Sequence, residues 1–457
     1  MKILRQADPR VRALLGVPET RAEGLRLSRF VLSGVAGGQA YMANTLTRQL
    51  VLLDGDEART LRRLRDGESD RAGGELAAWL RREGWLVPSD RDETAFYLQL
   101  LSLLRDVFPS KPGFKRFTIL PTTACNARCV YCFEEGFRSV TMTDDTADAV
   151  ADFIISSGRD GRISLLWFGG EPLAAHPVIT RICGRLRTAG VDYVSDLISN
   201  GTLLTAPLAD EAVNGWRLQS CQISVDGRKD DYLARKNFPD RSVDHYERMM
   251  EAIGLLLARG VRVMVRINCD GENLDGITEY AADLRRRFGT PPLLFLHLHT
   301  IFQLQDSERS VAMQEALRRR SDELRSMGFQ VPGSRFKPNL KLYYCDAEKP
   351  SRTAVIDPEG LLYSCENIAC QKPWGDVRNG MTDPEQWAYL TREMPLREMC
   401  RDCALLPSCT PYPDCPNRTV NCRDVNRIQI EDSIACLIAN PPSDGADEEP
   451  EERNDPC

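Results

Sequence analysis

Three cysteines within eight residues constrain this chain more than anything else in it. Cys125, Cys129 and Cys132 follow directly on the strand-like run FTILPT (117–122). Three thiolates so spaced can ligate three irons of a four-iron cubane and leave the fourth iron without a protein ligand. A small molecule can then chelate that open iron. The alternatives are a zinc site, although zinc prefers four ligands in paired x2 spacings, or a chance group of buried cysteines. Sixteen cysteines occur in all; eight lie between Cys345 and Cys422, and only Cys183, Cys221 and Cys269 are scattered between the two groups. Reduced cysteines at short, regular spacings in a long chain bind metal more often than they pair.

The residues around the first cluster set its frame. FTILPT, ISLLWF, YVSDLISN, LQSCQISVD, VRVMVRINC and LLFLHLHT read as strands, separated by helical stretches such as DDTADAVADFIISSG and VDHYERMMEAIGLLLARG. Strict alternation predicts βαβ units and a parallel sheet, here an α/β fold: a partial (β/α)6 TIM-like barrel over 111–300. Such folds carry chemistry in the loops at the C-terminal ends of their strands, which is where Cys125–Cys132 fall. Residues 1–110 read as short strands, two helices, a closing strand and a further helix, a winged-helix-like module. A polar helical connector is expected over 301–340, a cysteine-rich domain over 341–436, and an acidic disordered tail over 437–457.

The segment CNARCVYCF, with the aromatic Tyr131 before its last cysteine, resembles the signature of the radical S-adenosylmethionine superfamily. The resemblance implies a catalytic 4Fe–4S cluster on Cys125, Cys129 and Cys132. It also implies S-adenosylmethionine on the open iron, cleaved to a 5′-deoxyadenosyl radical that abstracts hydrogen from substrate. WFGGEP after the second strand resembles the family's motif for the methionyl amine, with Gly169 and Gly170 allowing close backbone approach and Glu171 supplying the carboxylate. Ser199 and Asn200 in ISNGT, and Ser224 and Asp226 in ISVDG, end the third and fourth strands as candidates for ribose or carboxylate, or as strand-end caps. Arg235 is expected to meet the methionyl carboxylate, or to be a surface arginine; Asn268 is a further candidate. His297 and His299 alternate on their strand and so share one face, as substrate contacts or as structural histidines.

Downstream, Cys345 and Cys365 flank a Gly360-x4-Cys365 half-motif, and Cys400-x2-Cys403-x5-Cys409-x5-Cys415 precedes Cys422. This resembles the SPASM domain, which holds auxiliary clusters in peptide- and protein-modifying members of the superfamily. The interval TPYPD between Cys409 and Cys415 departs from the family's usual three residues. Carried over, the pattern implies two auxiliary 4Fe–4S clusters: an inner one on Cys345, Cys365 and Cys415, its fourth position taken by Cys370 or open, and an outer one on Cys400, Cys403, Cys409 and Cys422. Cys436 rivals Cys422 but sits in the apolar stretch EDSIACLIAN. Two zinc sites are the alternative at these spacings.

The resemblance therefore implies a peptide maturase that abstracts hydrogen from a residue of a ribosomally made precursor and installs a thioether or carbon–carbon cross-link. The N-terminal module would take the leader as an added strand, or serve as a plain cap on the barrel. A formylglycine-generating sulfatase maturase is the second reading, and a non-catalytic iron–sulfur electron-transfer protein is the reading from another class. The expected partners are the precursor peptide and a small electron donor of flavodoxin or ferredoxin type. The net charge of −7 comes mostly from the tail, so nothing points to nucleic acid. No long apolar run suits a membrane, and no segment has the apolar core of a signal peptide. A cytoplasmic location is expected.

Overall fold

A computed structural model describes residues 1–15, 24–65, 75–108, 112–305, 308–333, 336–343, 352–368, 371–392, 396–409 and 422–441. Cys345, Cys370, Cys415 and most of the 437–457 tail lie outside the described residues.

The N-terminal region runs β1 (Lys2–Arg5), α1 (Pro9–Leu14), β2 (Leu25–Leu27), β3 (Val31–Ala36), β4 (Gln39–Asn44), β5 (Leu50–Leu53), α2 (Gly55–Arg65), α3 (Glu75–Arg82), β6 (Leu86–Pro88) and α4 (Glu93–Val107). Four strands form an antiparallel sheet in the order β1-β5-β4-β3, and β2 pairs with β6. Val31, Met42, Val51, Leu61, Leu64 and Trp85 make its core. The indole of Trp85 donates to Gln49 Oε1 at 2.7 Å, so its one polar atom is satisfied. The strands β1 and β2 and the helix α1 are additions to what the sequence pattern outlined; the expected closing strand is β6, which pairs with β2.

The central unit alternates β7 (Arg116–Thr122), α5 (Asp144–Ser157), β8 (Ile163–Gly169), α6 (His176–Thr188), β9 (Tyr193–Ser199), α7 (Ala206–Asn214), β10 (Leu218–Val225), α8 (Lys229–Lys236), α9 (His245–Ala258), β11 (Arg262–Cys269), α10 (Gly276–Phe288) and β12 (Leu294–Thr300). The six strands pair in parallel in the order β12-β11-β10-β9-β8-β7, as the alternation predicts. Local chemistry starts the helices. Thr143 and Thr205 cap α5 and α7, and Asp144 and Asp145 occupy the first turn of α5, where the helix dipole favours anions. One face of each strand is apolar. Leu165, Trp167, Ile223, Val263, Val265 and Ile267 are essentially inaccessible within the main core, each contributing roughly 1.5–3 kcal/mol or more on burial. Alternation sends Ser220, Ser224, Arg266, His297 and His299 to the other face, where they are partly exposed.

After α11 (Phe302–Gln305) and α12 (Ser310–Ser326) come β13 (Thr353–Ile356), β14 (Leu361–Tyr363), β15 (Gly375–Asp376), β16 (Gly380–Met381), α13 (Pro384–Thr391) and α14 (Cys422–Ala439). These last strands continue the barrel's own sheet. β13 pairs in parallel with β7, and β14 to β16 add antiparallel, giving ten strands. Tyr363 pairs with Val355, and Val355 with Thr118. The strand β14 therefore runs antiparallel to β7, and beyond it Ile368 packs with Leu120 and Phe168. Among the described residues no helix is long and apolar enough to cross a membrane.

Candidate active site

The loop after β7 is fixed from two sides. From the β8 side, Gly170 N donates to Thr122 O (3.1 Å) and Glu171 N to Ala124 O (2.9 Å). A Cβ on Gly170 would run into Ala124 O and lie 2.6 Å from Thr123 O, and Gly169 has φ +110, so both positions require glycine. From the other side, Arg128 N donates to Lys236 O (2.9 Å) and Val130 N to Arg235 O (3.0 Å). The last turn of α8 thus satisfies its orphan carbonyls with the amides of the cysteine loop. Asn237, in the left-handed region at φ 46, ends the helix there.

The three thiols are near enough to feel one another's charge. Burial is the main influence on each; it pushes Cys125 up to about 12, and the neighbouring Cys129 and Cys132 charges push it further. Cys129 and Cys132 also rise through burial, with Lys236 opposing in both cases. Among the described residues no three Cys, His, Asp or Glu side chains meet closely enough to hold one ion. A cubane asks something different, one thiolate at each of several irons, so its ligands need only surround a common volume. Three soft sulfur donors, a glycine-lined approach and a buried cation suit such a group.

Glu171 is fully buried at the start of a 3-10 turn, Pro172–Ala175. It accepts from Ser199 Oγ (2.7 Å), Asn200 N (2.8 Å) and Leu173 N (3.1 Å). Burial raises its pKa while these donors and Lys236 hold it down. Ser199 is therefore engaged with Glu171. The Asn200 side chain donates to Asn126 Oδ1 at 2.8 Å and accepts from Thr202 Oγ1 at 2.7 Å, tying the cysteine loop to the end of β9. Ser224 sits on the open face of β10.

Asp226 is fully buried and accepts from the Tyr131 hydroxyl. Arg235 Nε and Lys236 Nζ each approach its carboxylate at 3.6 Å. Both cations also lie over the Tyr131 ring, at 5.4 and 5.6 Å, and Asn268 Nδ2 donates to its hydroxyl at 3.2 Å. The two cations differ in what else they touch. Arg235 pairs with Asp270 Oδ2 at 2.6 Å, whereas Lys236 is 3% exposed and its charge is felt at Cys129 and Glu171. Burial works against the Lys236 charge, and Tyr131, Asp226 and Cys129 more than offset it, so its pKa rises. Lys236 is the site residue that sequence reading missed. The signal was its place beside Arg235, about 100° further round the same helix.

Residues 119–284 match the model of the Radical SAM superfamily. The chain carries a radical SAM domain. Over 158 residues the chain is 29% identical to the AdoMet-dependent heme synthase of Methanosarcina barkeri, covering 35% of this chain and 43% of that protein. Over 158 residues it is 30% identical to the GTP 3′,8-cyclase of Chlorobaculum tepidum, covering 34% of this chain and 44% of that protein. It spans less than half the length of these curated relatives. Among solved structures it is similar in fold to native anSMEcpe with bound AdoMet (TM-score 0.55, 14% identity, 71% of this chain and 98% of that one). The same protein with bound AdoMet and Cp18Cys peptide gives a TM-score of 0.52 at 14% identity over the same shares. The radical SAM domain implies a 4Fe–4S cluster and S-adenosylmethionine, and the cysteine loop has the donors for the cluster.

A second group of cysteines lies far from this loop in sequence. Cys400, Cys403, Cys409 and Cys422 line one cleft with Met399, Leu405, Leu406, Arg423 and Asn426, open in part to solvent. Cys422 is the first residue of α14. Cys436 lies fourteen residues along the same helix, about 21 Å away by helical rise, and does not line the cleft. Burial pushes its thiol up to about 11.

Proposed function

We propose that this is a radical S-adenosylmethionine maturase that abstracts hydrogen from a residue of a ribosomally made precursor peptide and installs a thioether or carbon–carbon cross-link. The observation that carries the reading is the conjunction of two cysteine sites in one fold. Cys125, Cys129 and Cys132 sit at the C-terminal end of a parallel sheet beside the buried carboxylate of Glu171, and a separate cleft gathers Cys400, Cys403, Cys409 and Cys422.

Each residue has a role that its surroundings support. Glu171, preorganised by three donors, accepts the methionyl ammonium. Lys236 meets the methionyl carboxylate; Arg235 is committed to Asp270 and steadies the Tyr131 ring. Gly169 and Gly170 let the backbone approach the bound molecule. Ser199 and Asn200 orient Glu171 and the cysteine loop, while Ser224 and Asp226 line the same strand end. When bound, the cluster and cosubstrate supply a 5′-deoxyadenosyl radical; the chain's part is to hold, orient and exclude water. The outer cleft would hold one auxiliary 4Fe–4S cluster, and Cys365 with Cys345 and Cys415 a second. In the N-terminal sheet the edge strands are β1 and β3, open to a leader peptide added as a strand.

The test is a pair of anaerobic reactions with S-adenosylmethionine and a low-potential reductant, one with a small precursor peptide found encoded near this gene and one with a sulfatase-derived peptide. The reading requires 5′-deoxyadenosine and a peptide lighter by two hydrogen atoms. An unchanged peptide alongside a sulfatase-derived peptide carrying formylglycine would replace it with sulfatase maturation. No cosubstrate cleavage at all would leave only an electron carrier.

A further inference from the structure

We propose that the N-terminal module is the clamp that shapes the outer cysteine cleft, with Thr45, Arg48 and Thr94 as its positioning residues. This rests on the auxiliary-cluster reading of that cleft. From Glu398 to Cys409 the chain forms two short 3-10 turns, Glu398–Cys400 and Leu406–Ser408, and local turn bonds such as Cys403 N to Cys400 O at 3.2 Å and Cys409 N to Leu406 O at 3.3 Å. It is also held from outside, at the residue next to each of three cysteines. Beside Cys400, Arg401 O accepts from Thr94 Oγ1. Beside Cys403, Ala404 O shares the Thr45 hydroxyl proton with Phe30 O, at 3.1 and 3.0 Å. Beside Cys409, Ser408 Oγ accepts from the Arg48 guanidinium.

Arg48 is built for this task. It is 2% exposed, donates from Nε to Lys337 O at 2.8 Å and lies 4.6 Å above the Phe336 ring. Its backbone is in the left-handed region at φ 66, a conformation that is strained for a residue other than glycine. The tight turn from Asn44 enforces it: Asn44 Oδ1 accepts from Leu46 N and Thr47 N, and Arg48 N donates to Asn44 O at 2.8 Å. The cleft's apolar wall has the same origin. Leu406 and Cys400 pack in one core with Phe30, Leu46, Tyr97 and Leu101, and Leu405 packs with Leu32, Tyr41 and Leu50. The cleft is therefore completed by a part of the chain more than 300 residues away in sequence.

The experiment compares anaerobically purified full-length wild type with Thr45→Val, Thr94→Val and Arg48→Met, scoring iron, sulfide and the EPR of each cluster. The valines remove one hydroxyl at constant shape, so the fold survives even if Arg48→Met proves too severe. The clamp predicts iron falling from about twelve to about eight per chain. It also predicts that the catalytic cluster's signal, and its change on adding S-adenosylmethionine, persist. Thr45→Ser, which keeps the hydroxyl, should restore the lost iron. Twelve irons with unchanged spectra in all three variants would overturn the proposal, as would a parallel loss from every cluster, the mark of a merely structural role. About four irons in the wild type itself would instead overturn the auxiliary-cluster reading.

Discussion

Lys236 Nζ lies 3.6 Å from Asp226 Oδ2, both side chains are buried, and the carbonyl of the same lysine accepts from Arg128 N in the cysteine loop. One residue thus neutralises a buried carboxylate with its side chain and anchors the cluster-binding loop with its backbone. Removing one partner of a buried pair and leaving the other uncompensated costs about 3–5 kcal/mol. Arg235 Nε, also 3.6 Å from Asp226, and the Tyr131 hydroxyl remain, so Lys236→Met should lower stability by less than that in thermal or denaturant unfolding. Lys236→Met with Asp226→Asn should lower it by clearly less than the sum of the two single changes. Additive losses would show that the two charges do not act as a pair.

Glycine at position 170 is required by contact. Gly170→Ala drives a methyl into the Ala124 and Thr123 carbonyls and should displace the cysteine loop, reducing S-adenosylmethionine binding and catalytic-cluster iron together. Gly184→Ala is the matched control. It lies in the middle of α6, and an added Cβ there meets nothing within 4 Å, so it should stabilise by about 0.5–1 kcal/mol. Isothermal titration and iron assays on the two variants separate these outcomes.

Glu171→Gln keeps the shape of the buried side chain and removes its charge. A hydrogen bond to a charged group contributes about 1.5–3 kcal/mol, so S-adenosylmethionine should bind about 10- to 150-fold more weakly. The iron content should stay at the wild-type value, because the role proposed for the carboxylate is to meet the methionyl amine and not the cluster. Equal affinity in the two proteins would remove Glu171 from the binding site.

Cys422 and Cys436 share α14, yet only the first lines the cleft. Cys422→Ala should therefore release about four irons, whereas Cys436→Ala should release none. The reverse pattern would reassign the fourth ligand of the outer cluster.

Much of this was legible in the sequence because the signals were local. The six barrel strands each carry a run of β-branched and apolar residues bounded by helical stretches, and the three clustered cysteines follow the first of them. Other features depend on contacts that no local pattern contains. β13 to β16 are two to four residues long, and their membership of the barrel sheet is decided by pairing of β13 with β7. Lys236 was passed over for Arg235, since two adjacent cations on a helix look alike until the turn at Asn237 decides which one faces Cys129. Ser199 and Asn200 read as ligands at a strand end, and the structure engages them with Glu171 and Asn126. The reach of Thr45, Arg48 and Thr94 to the 400–409 loop has no sequence signature at all.

The most direct test of the account is the iron and sulfide content of anaerobically purified wild type beside a Cys125→Ala, Cys129→Ala, Cys132→Ala variant, with cosubstrate cleavage measured on both. The account predicts about twelve irons falling to about eight, with cleavage abolished and the auxiliary signals intact. Cleavage that survives the triple substitution would contradict it outright.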